Sequence, residues 1–379
     1  MTATRREFLQ TTAAAAGALG LGSLAGVGSA EAVVGQAEKS LRILILGGTG
    51  FIGPHEVRYA LGRGHQVTIF NRGRTEPSLF PESFKQVEKL TGDRNGDLKA
   101  LEGREWDAVI DNAAMIPRWV RESAGLLKDS VGQYLYISTL SVYPGFPEPG
   151  MDETAPVGTI DDPTTEEVNG RTYGPLKALC EREAEAAFPG RATVVRPGLI
   201  VGPGDPTDRW TYWPVRIDRG GEVLAPGDPT TLVRFIDVRD LTEWSIRLLE
   251  QQTTGVFNSV GPRSHLSTAE MLYGIRSTTS VGISFTWVDA DFLSEHEVRP
   301  WSDLPAWLPP RDGYEGYGAI SRARAIAAGL SFRPLAVTAM DTVDWWNTLP
   351  AERRAKPKTG LTPGREAEVL AEWHFSEGK

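Results

Sequence analysis

Tyr173 and Lys177 stand four residues apart in Tyr173-Gly174-Pro175-Leu176-Lys177. On a helix that spacing puts a phenol and an ammonium on one face. A nearby cation stabilises a phenolate and draws the tyrosine down from its ordinary ~10. Such a pair can move a proton to or from a hydroxyl or carbonyl oxygen. Earlier in the chain, Ser138-Thr139-Leu140-Ser141-Val142-Tyr143 begins at the C-terminal end of an apolar run, where ligands of parallel sheets bind. Earlier still, Gly47, Gly50 and Gly53 recur at every third position in GGTGFIG, a spacing suited to a backbone that must approach a pyrophosphate.

These groups are useful only if elements bring them together. Leu41–Leu46 is a short, nearly continuous apolar run, as expected of a strand buried on both faces of a parallel sheet. It enters the glycine turn, and a helix fits Pro54 to Arg63, with Pro54 accepted in the first turn. Gly64 closes that helix and Gln66–Phe70 follows as a second strand, which makes a βαβ unit. The free N–H groups at the helix start, with their partial positive charge, suit phosphate. Gly47, Thr49, Gly50, Phe51, Ile52 and Gly53 are therefore candidate nucleotide-binding positions. Further strands are expected at Trp106–Asp111, Tyr134–Ser138 and Ala192–Arg196, and helices at Pro117–Lys128 and Tyr173–Ala187. This alternation predicts an α/β fold of Rossmann type, a doubly wound parallel sheet with a smaller C-terminal lobe. Thr139 would then lie just past the carboxyl end of a strand, where such sheets bind ligands.

The end of the second strand bears on the choice of dinucleotide. A carboxylate there would bond the adenosine ribose hydroxyls of NAD. This chain has Asn71-Arg72-Gly73-Arg74 instead, and Arg72 can pair with a 2′-phosphate, which favours NADP over NAD. Gly92-Asp93-Arg94 places Asp93 and Arg94 as candidates near the adenine. Asn112-Ala113-Ala114 ends a strand with small residues that let a cofactor lie close.

Together GGTGFIG, Asn112-Ala113-Ala114, the Ser138–Tyr143 segment and Tyr173–Lys177 resemble the extended short-chain dehydrogenases/reductases. More narrowly, the chain is similar to the NAD-dependent epimerase/dehydratase family. Arg196-Pro197, Gly202-Pro203 and Phe235-Ile236-Asp237-Val238-Arg239-Asp240-Leu241 extend the likeness over residues 41–262. The resemblance implies an active hydroxyl at Thr139, an acid/base at Tyr173 and a lysine at Lys177 that also bonds the nicotinamide ribose. It implies hydride exchange with nicotinamide at a hydroxyl or carbonyl carbon of a sugar-like or other small substrate. Net carbonyl reduction with NADPH and a non-catalytic dinucleotide-binding module stay open as alternatives, and the resemblance leaves room for a homodimer. The chain departs from sugar-nucleotide epimerases in two places. Pro197 stands where those enzymes usually have asparagine, and Val233 stands where they often have a diphosphate-binding arginine, with Arg234 one step away.

The N-terminus reads as an address. Arg5-Arg6 with Phe8-Leu9, an Ala/Gly-rich stretch and Ala30-Glu31-Ala32 form a charged start, a weakly apolar middle and a small-residue cleavage site. This predicts a twin-arginine signal over 1–32, with the twin-arginine translocase as partner and export to the periplasm or beyond. The stretch is too short and glycine-rich to anchor in a membrane. Residues 33–40 are a polar lead-in, 41–198 the dinucleotide-binding domain and 199–379 mainly a substrate lobe. Within that lobe, residues 235–261 are expected to return to the main sheet.

A formal net charge of −9 without a basic run argues against a nucleic-acid partner, which needs clustered cations. The only cysteine, Cys180, rules out an intramolecular disulfide, and the five histidines show no metal-ligand spacing, so no metal is expected. Nine of the eleven tryptophans lie from Trp210 onward. Trp210 and Trp213 are candidates to stack on a substrate ring, with Ser141, Arg209 and Arg234 as polar contacts; core packing is the competing role for the tryptophans. Cys180, His55 and His65 read as structural. Replacing Arg72 by Ala is expected to weaken NADP binding far more than NAD binding in a fluorescence titration; equal losses would reject the NADP preference.

Overall fold

The computed structural model describes residues 35–378 apart from Ala113; the expected signal over 1–32 and the Ala113 position lie outside the described residues. β1 (Arg42–Leu46) runs through the glycine turn into helix α1 (Gly53–Gly62) and returns as β2 (Gln66–Asn71). The turn is tight because α1 rests on it. A Cβ at Gly53 would lie 2.4 Å from the carbonyl carbon and oxygen of Gly48. β3 (Glu88–Thr91) follows, a strand the apolar pattern does not announce because it lies at the sheet edge with a mostly exposed face. β4 (Trp106–Asp111), α2 (Pro117–Leu127), β5 (Val131–Ile137), α3 (Tyr173–Ala187) and β6 (Ala192–Pro197) continue the alternation.

Seven parallel strands form the main sheet in the order β3-β2-β1-β4-β5-β6-β7, where β7 is Gly255–Ser259. The expected doubly wound α/β fold is thus what the chain adopts. The order reverses between β1 and β4, so their carboxyl ends diverge into the crevice where ligands of such sheets bind. Leu46 and Asp111 are paired across that point, and both β1 and β4 are buried on both faces.

Residues 235–261 divide between two sheets. β7 joins the main sheet, and α4 (Val238–Glu250) packs on it through Leu241, Trp244 and Leu248. The strand that precedes α4, Leu232–Asp237, does not return to that sheet. It forms a small sheet of its own between Ile200–Val201 and Gly261–Ser267. That sheet and a parallel pair (Gly221–Pro226 with Ile283–Val288) line the second lobe.

The core of the second lobe corrects one expectation. Trp210 and Trp213 are fully buried among Leu224, Leu272, Trp307 and Leu370 rather than facing a ligand. The Trp213 indole donates to the Pro305 carbonyl at 2.6 Å, and Trp210 packs on Phe235 at 5.1 Å between ring centres. Their area is used to hold the short helix Tyr212–Asp218 onto the lobe, because only large apolar side chains fill that interior.

One polar contact joins α1 to the end of β4. The Asn112 side-chain amide donates to Glu56 at 2.5 Å, and Glu56 is fully buried. Burial pushes its carboxyl from its ordinary 4.5 up to about 8, against the smaller opposing effect of Asn112. Glu56 is therefore neutral at pH 7, and an acid in the first turn of α1 adds no negative charge beside a phosphate site.

Two predictions follow from these interiors. Trp213→Ala is expected to cost about 3–5 kcal/mol in urea unfolding; a loss near zero would return Trp213 to the surface. For Glu56, the stabilising contribution is complete below 4.5 and is lost as pH rises toward 8. Glu56→Gln removes that titration, so its melting temperature should gain on wild type between pH 5 and pH 8. A constant difference over that interval would overturn the assignment.

Candidate active site

The first turn of α3 carries Tyr173 against the segment that follows β5. The approach is so close that a Cβ at Gly174 would sit 2.0 Å from the Ser141 carbonyl oxygen. Only glycine permits this contact, and it brings the Tyr173 phenol close enough to Thr139 for that side chain to act on it. The Thr139 hydroxyl oxygen also accepts from the Ser141 backbone N–H at 3.1 Å, capping the short turn Leu140–Val142. Ser141 itself is exposed at the mouth of the same cavity.

Lys177 is one turn further along α3 and is buried. Its ammonium donates to the carbonyls of Ile137 at 2.7 Å and Ala114 at 3.0 Å, and lies 4.1 Å from the centre of the Tyr136 ring. Burial is the largest effect on this group and lowers it from 10.5 to about 8. Of its three protons, two are engaged by the carbonyls and one remains for a ligand.

Lys177 is turned toward the strand ends, where two carbonyls engage its ammonium. Burial raises the Tyr173 phenol; the Thr139 side chain and the Arg209 guanidinium oppose it. Tyr173 thus holds its proton at neutral pH and is set to donate it. Arg209 contributes from the cavity wall, its Nε donating to the Thr207 hydroxyl at 3.0 Å.

The strand ends fit a dinucleotide. Ile52 precedes α1 without a side-chain cap, so the first N–H groups of the helix are free of one, and nothing lies within 4 Å of where a Gly50 Cβ would be. Thr49, Phe51 and Ile52 are half-buried around this opening, and Gly47 turns with φ 90° while its N–H bonds the Phe70 carbonyl. Asn112 leaves its carbonyl oxygen buried and without a partner at the β1/β4 crevice. Asn71 accepts from the Gly73 N–H at 2.8 Å and shapes the loop in which Arg72 is exposed. Asp93 accepts from the Asn95 N–H at 3.0 Å in the turn after β3, whose Gly92 N–H bonds the Asn71 carbonyl.

Arg94 does a different job from the one its position suggests. Its two terminal nitrogens bind both oxygens of the buried Asp111 at 2.6 and 2.7 Å, and the Tyr134 hydroxyl donates to the same carboxylate at 2.6 Å. A buried carboxylate needs such partners, so the guanidinium is held inside rather than offered to a cofactor. The Asp111 carboxylate also accepts from the Ala114 N–H at 3.2 Å, which fixes the bend where Lys177 docks.

A cavity of about 1020 Å³ opens over Tyr173 and Thr139 and reaches Arg209 and Arg234. Several of its residues escape a reading by motif. Phe146, Trp301, Tyr314 and Tyr317 come from segments far apart in sequence, and no pattern joins them. Asp205 lines the cavity too, with burial raising its carboxyl; the Gly202-Pro203-Gly204 turn before it was the available signal. A buried chain of contacts supports the catalytic segment. Glu181 accepts from Ser138 at 2.5 Å and binds Arg196 at 2.6 and 2.9 Å, and Arg196 donates to the Tyr143 hydroxyl at 2.8 Å. His55 (Nε2 2.9 Å from the Pro203 carbonyl), His65 and Cys180 are buried structural groups. Among the described residues no cluster of His, Cys, Asp or Glu could hold a metal ion, and no helix is long and apolar enough to cross a membrane.

Comparison with known proteins agrees with this geometry. "Epimerase family protein SDR39U1" from Mus musculus is 25% identical over 244 residues, covering 61% of this chain and 78% of its own. "2-alkyl-3-oxoalkanoate reductase" from Stenotrophomonas maltophilia is 30% identical over 181 residues, 44% of this chain and 52% of that one. Among solved structures, the UDP-glucuronic acid 4-epimerase from Bacillus cereus in complex with NAD shares the fold, with a TM-score of 0.55 and 17% identity. It covers 80% of this chain and 96% of its own. The sequence profile of the NAD dependent epimerase/dehydratase family matches residues 43–260, and the chain belongs to that family.

Proposed function

We propose that the protein is an NAD(P)-dependent enzyme that exchanges a hydride at a hydroxyl or carbonyl carbon of a small substrate, with Tyr173 as its acid/base. The observation that carries this reading is the placing of Tyr173 and Thr139 together on the wall of one cavity, beside a lysine held at the strand ends. When bound, the nicotinamide supplies the hydride acceptor and donor. The chain's own groups handle the oxygen. Thr139 orients it, and Tyr173, protonated at neutral pH, gives its proton as a carbonyl becomes a hydroxyl and takes it back in the reverse direction. Arg209, whose guanidinium opposes the upward shift of this phenol, favours the phenolate in the interval. The remaining N–H of Lys177 suits a ribose hydroxyl and sets the ring against the substrate.

The reading extends to compartment and turnover. With a twin-arginine signal over 1–32, the protein folds and loads its cofactor in the cytoplasm and works outside it. No nicotinamide pool is replenished there, so a reaction that returns its own hydride, an epimerisation or an oxidation–elimination–reduction, needs only one tightly held cofactor. The NAD complex of the Bacillus cereus epimerase supports that class. Net reduction of a carbonyl is the second reading, and the likeness to the Stenotrophomonas reductase favours it.

Tyr173→Phe should abolish turnover and leave cofactor affinity nearly unchanged; undiminished activity would remove Tyr173 from the mechanism. Purified from the exported fraction and denatured, the protein should release one equivalent of nicotinamide dinucleotide, identified by mass spectrometry. A protein that is empty, and that oxidises added NADPH with a carbonyl substrate, would replace self-recycling by net reduction.

A further inference from the structure

Asp205, Pro206, Thr207 and Arg209 of one loop line the cavity beside Tyr173. Asp208, enclosed by them, does not. It is 1% exposed and pairs instead with a segment from the end of the second lobe. The Arg353 guanidinium donates through Nη2 to both of its oxygens, at 2.6 and 2.7 Å, and the Lys358 backbone N–H donates to Oδ2 at 2.9 Å. The same segment reaches the loop twice more. Lys358 Nζ donates to the Pro206 carbonyl at 2.7 Å, and the Thr359 hydroxyl to the Thr207 carbonyl at 3.3 Å. The Gly360 N–H then donates to the Ser302 carbonyl at 2.9 Å, next to Trp301, another residue of the cavity wall. Residues 353–360 are thus a strap that ties two cavity-lining segments together. Arg353 is itself braced by the buried Trp346, its guanidinium carbon 5.2 Å from the ring centre.

Bonds within the loop carry this anchoring to the cavity. Asp205 Oδ1 accepts from the Thr207 N–H at 2.8 Å and from its hydroxyl at 2.6 Å, and that hydroxyl accepts from Arg209 Nε at 3.0 Å. Arg209 has no carboxylate partner among the described residues; its guanidinium carbon lies 5.9 Å from the centre of the Trp301 ring. The strap therefore holds both neighbours of Arg209, the Thr207 side and the Trp301 side. Asp208 has φ 61°, a left-handed conformation that a non-glycine residue keeps only where its surroundings impose it. A buried carboxylate also needs a counter-charge. Deprived of Arg353, Asp208 would stand one residue from an unpaired guanidinium and would draw Arg209 away from Tyr173. We infer that Arg353 is a positioning residue for the active site: through Asp208 and the 353–360 strap it fixes where Arg209 stands relative to Tyr173. This rests on the proposed function in taking Tyr173 as the acid/base that Arg209 serves; the strap and its bonds to the loop do not depend on that reading.

The test reads the Tyr173 phenol directly, on the full protein and without a substrate. Tyrosines are replaced by 3-fluorotyrosine, whose phenol ionises at lower pH, and are followed by fluorine NMR; the Tyr173 resonance is the one missing in Tyr173→Phe. Besides Arg209, the groups that act on this phenol are Thr139 and Cys180, and neither is altered. The titration midpoint is compared in wild type, Arg209→Met, Arg353→Met, Arg353→Lys and the double variant Arg209→Met with Arg353→Met. Losing the pull of a cation raises a phenol, so each single Met variant should raise the midpoint by about half a pH unit. The double variant should rise no further than Arg209→Met, because both changes remove the same contact. Arg353→Lys should restore part of the wild-type value. A midpoint that rises in Arg209→Met but not in Arg353→Met would overturn the strap's role and leave the reading of Tyr173 intact. Additive rises in the double variant would overturn it too, since Arg353 would then act on the phenol by its own charge. No change in Arg209→Met would strike Arg209 from the proposed function, and the positioning role of Arg353 with it. Should Arg353→Met fail to fold, Arg353→Lys decides: one ammonium cannot hold both Asp208 oxygens as firmly, so an unchanged midpoint there overturns the inference.

Discussion

The ammonium of Lys177 is held by two carbonyls that belong to different parts of the sheet edge, Ile137 at the end of β5 and Ala114 just past β4. A charged group in the interior is tolerated only with such partners, and here they also set the position of a helix. With Lys177 fixed, α3 has one rotation and one height. Tyr173 then meets Thr139 at the mouth, and Glu181 meets Ser138 and Arg196 inside. The Ala114 carbonyl is itself placed by Asp111, whose carboxylate holds the Ala114 N–H, Arg94 and Tyr134 together. The position of Tyr173 on the cavity wall therefore depends on a polar structure two layers deep.

Glycine supplies the complementary constraint. At Gly53 the helix meets the turn that precedes it, and at Gly174 the catalytic helix meets the segment carrying Thr139. In both places backbone lies where a Cβ would have to be. These two close approaches bring an uncapped helix start and Tyr173 to the same sheet edge, at the point where strand order reverses. The second lobe then closes the cavity with Arg209, Arg234 and aromatic rings. It stands on a core of buried tryptophans and on ion pairs such as Arg353 with Asp208 at 2.6 Å.

Charge within the cavity is arranged asymmetrically. Arg209 and Arg234 line it, while the acids at hand are either raised by burial, as Asp205 is, or neutral at pH 7 in the layer beneath, as Glu56 is. An environment of this kind favours negative charge over neutral or positive charge in the cavity, as the pull of Arg209 on the Tyr173 phenol shows.

The linear sequence by itself determined most strands of the main sheet, the glycine turn and the Tyr173 and Lys177 pair, while Thr139 came from the family resemblance. The first three depend on local spacing: an apolar run for a doubly buried strand, a glycine at every third position, four residues along a helix face. What the spacing could not show was the direction of a side chain. Lys177 has the helical register of Tyr173 but turns to carbonyls brought in by tertiary folding, and Arg94 meets an aspartate seventeen residues away in sequence instead of a cofactor. Trp210 and Trp213 have the composition of a stacking site and the environment of a core. The strand at Leu232–Asp237 reads as part of the main sheet because its apolar pattern does not say which strand pairs with it. The surroundings of Arg234, the rings of Phe146 and Tyr317, are likewise set by long-range packing. Spacing is a property of the chain, whereas burial and partnership are properties of the space it encloses.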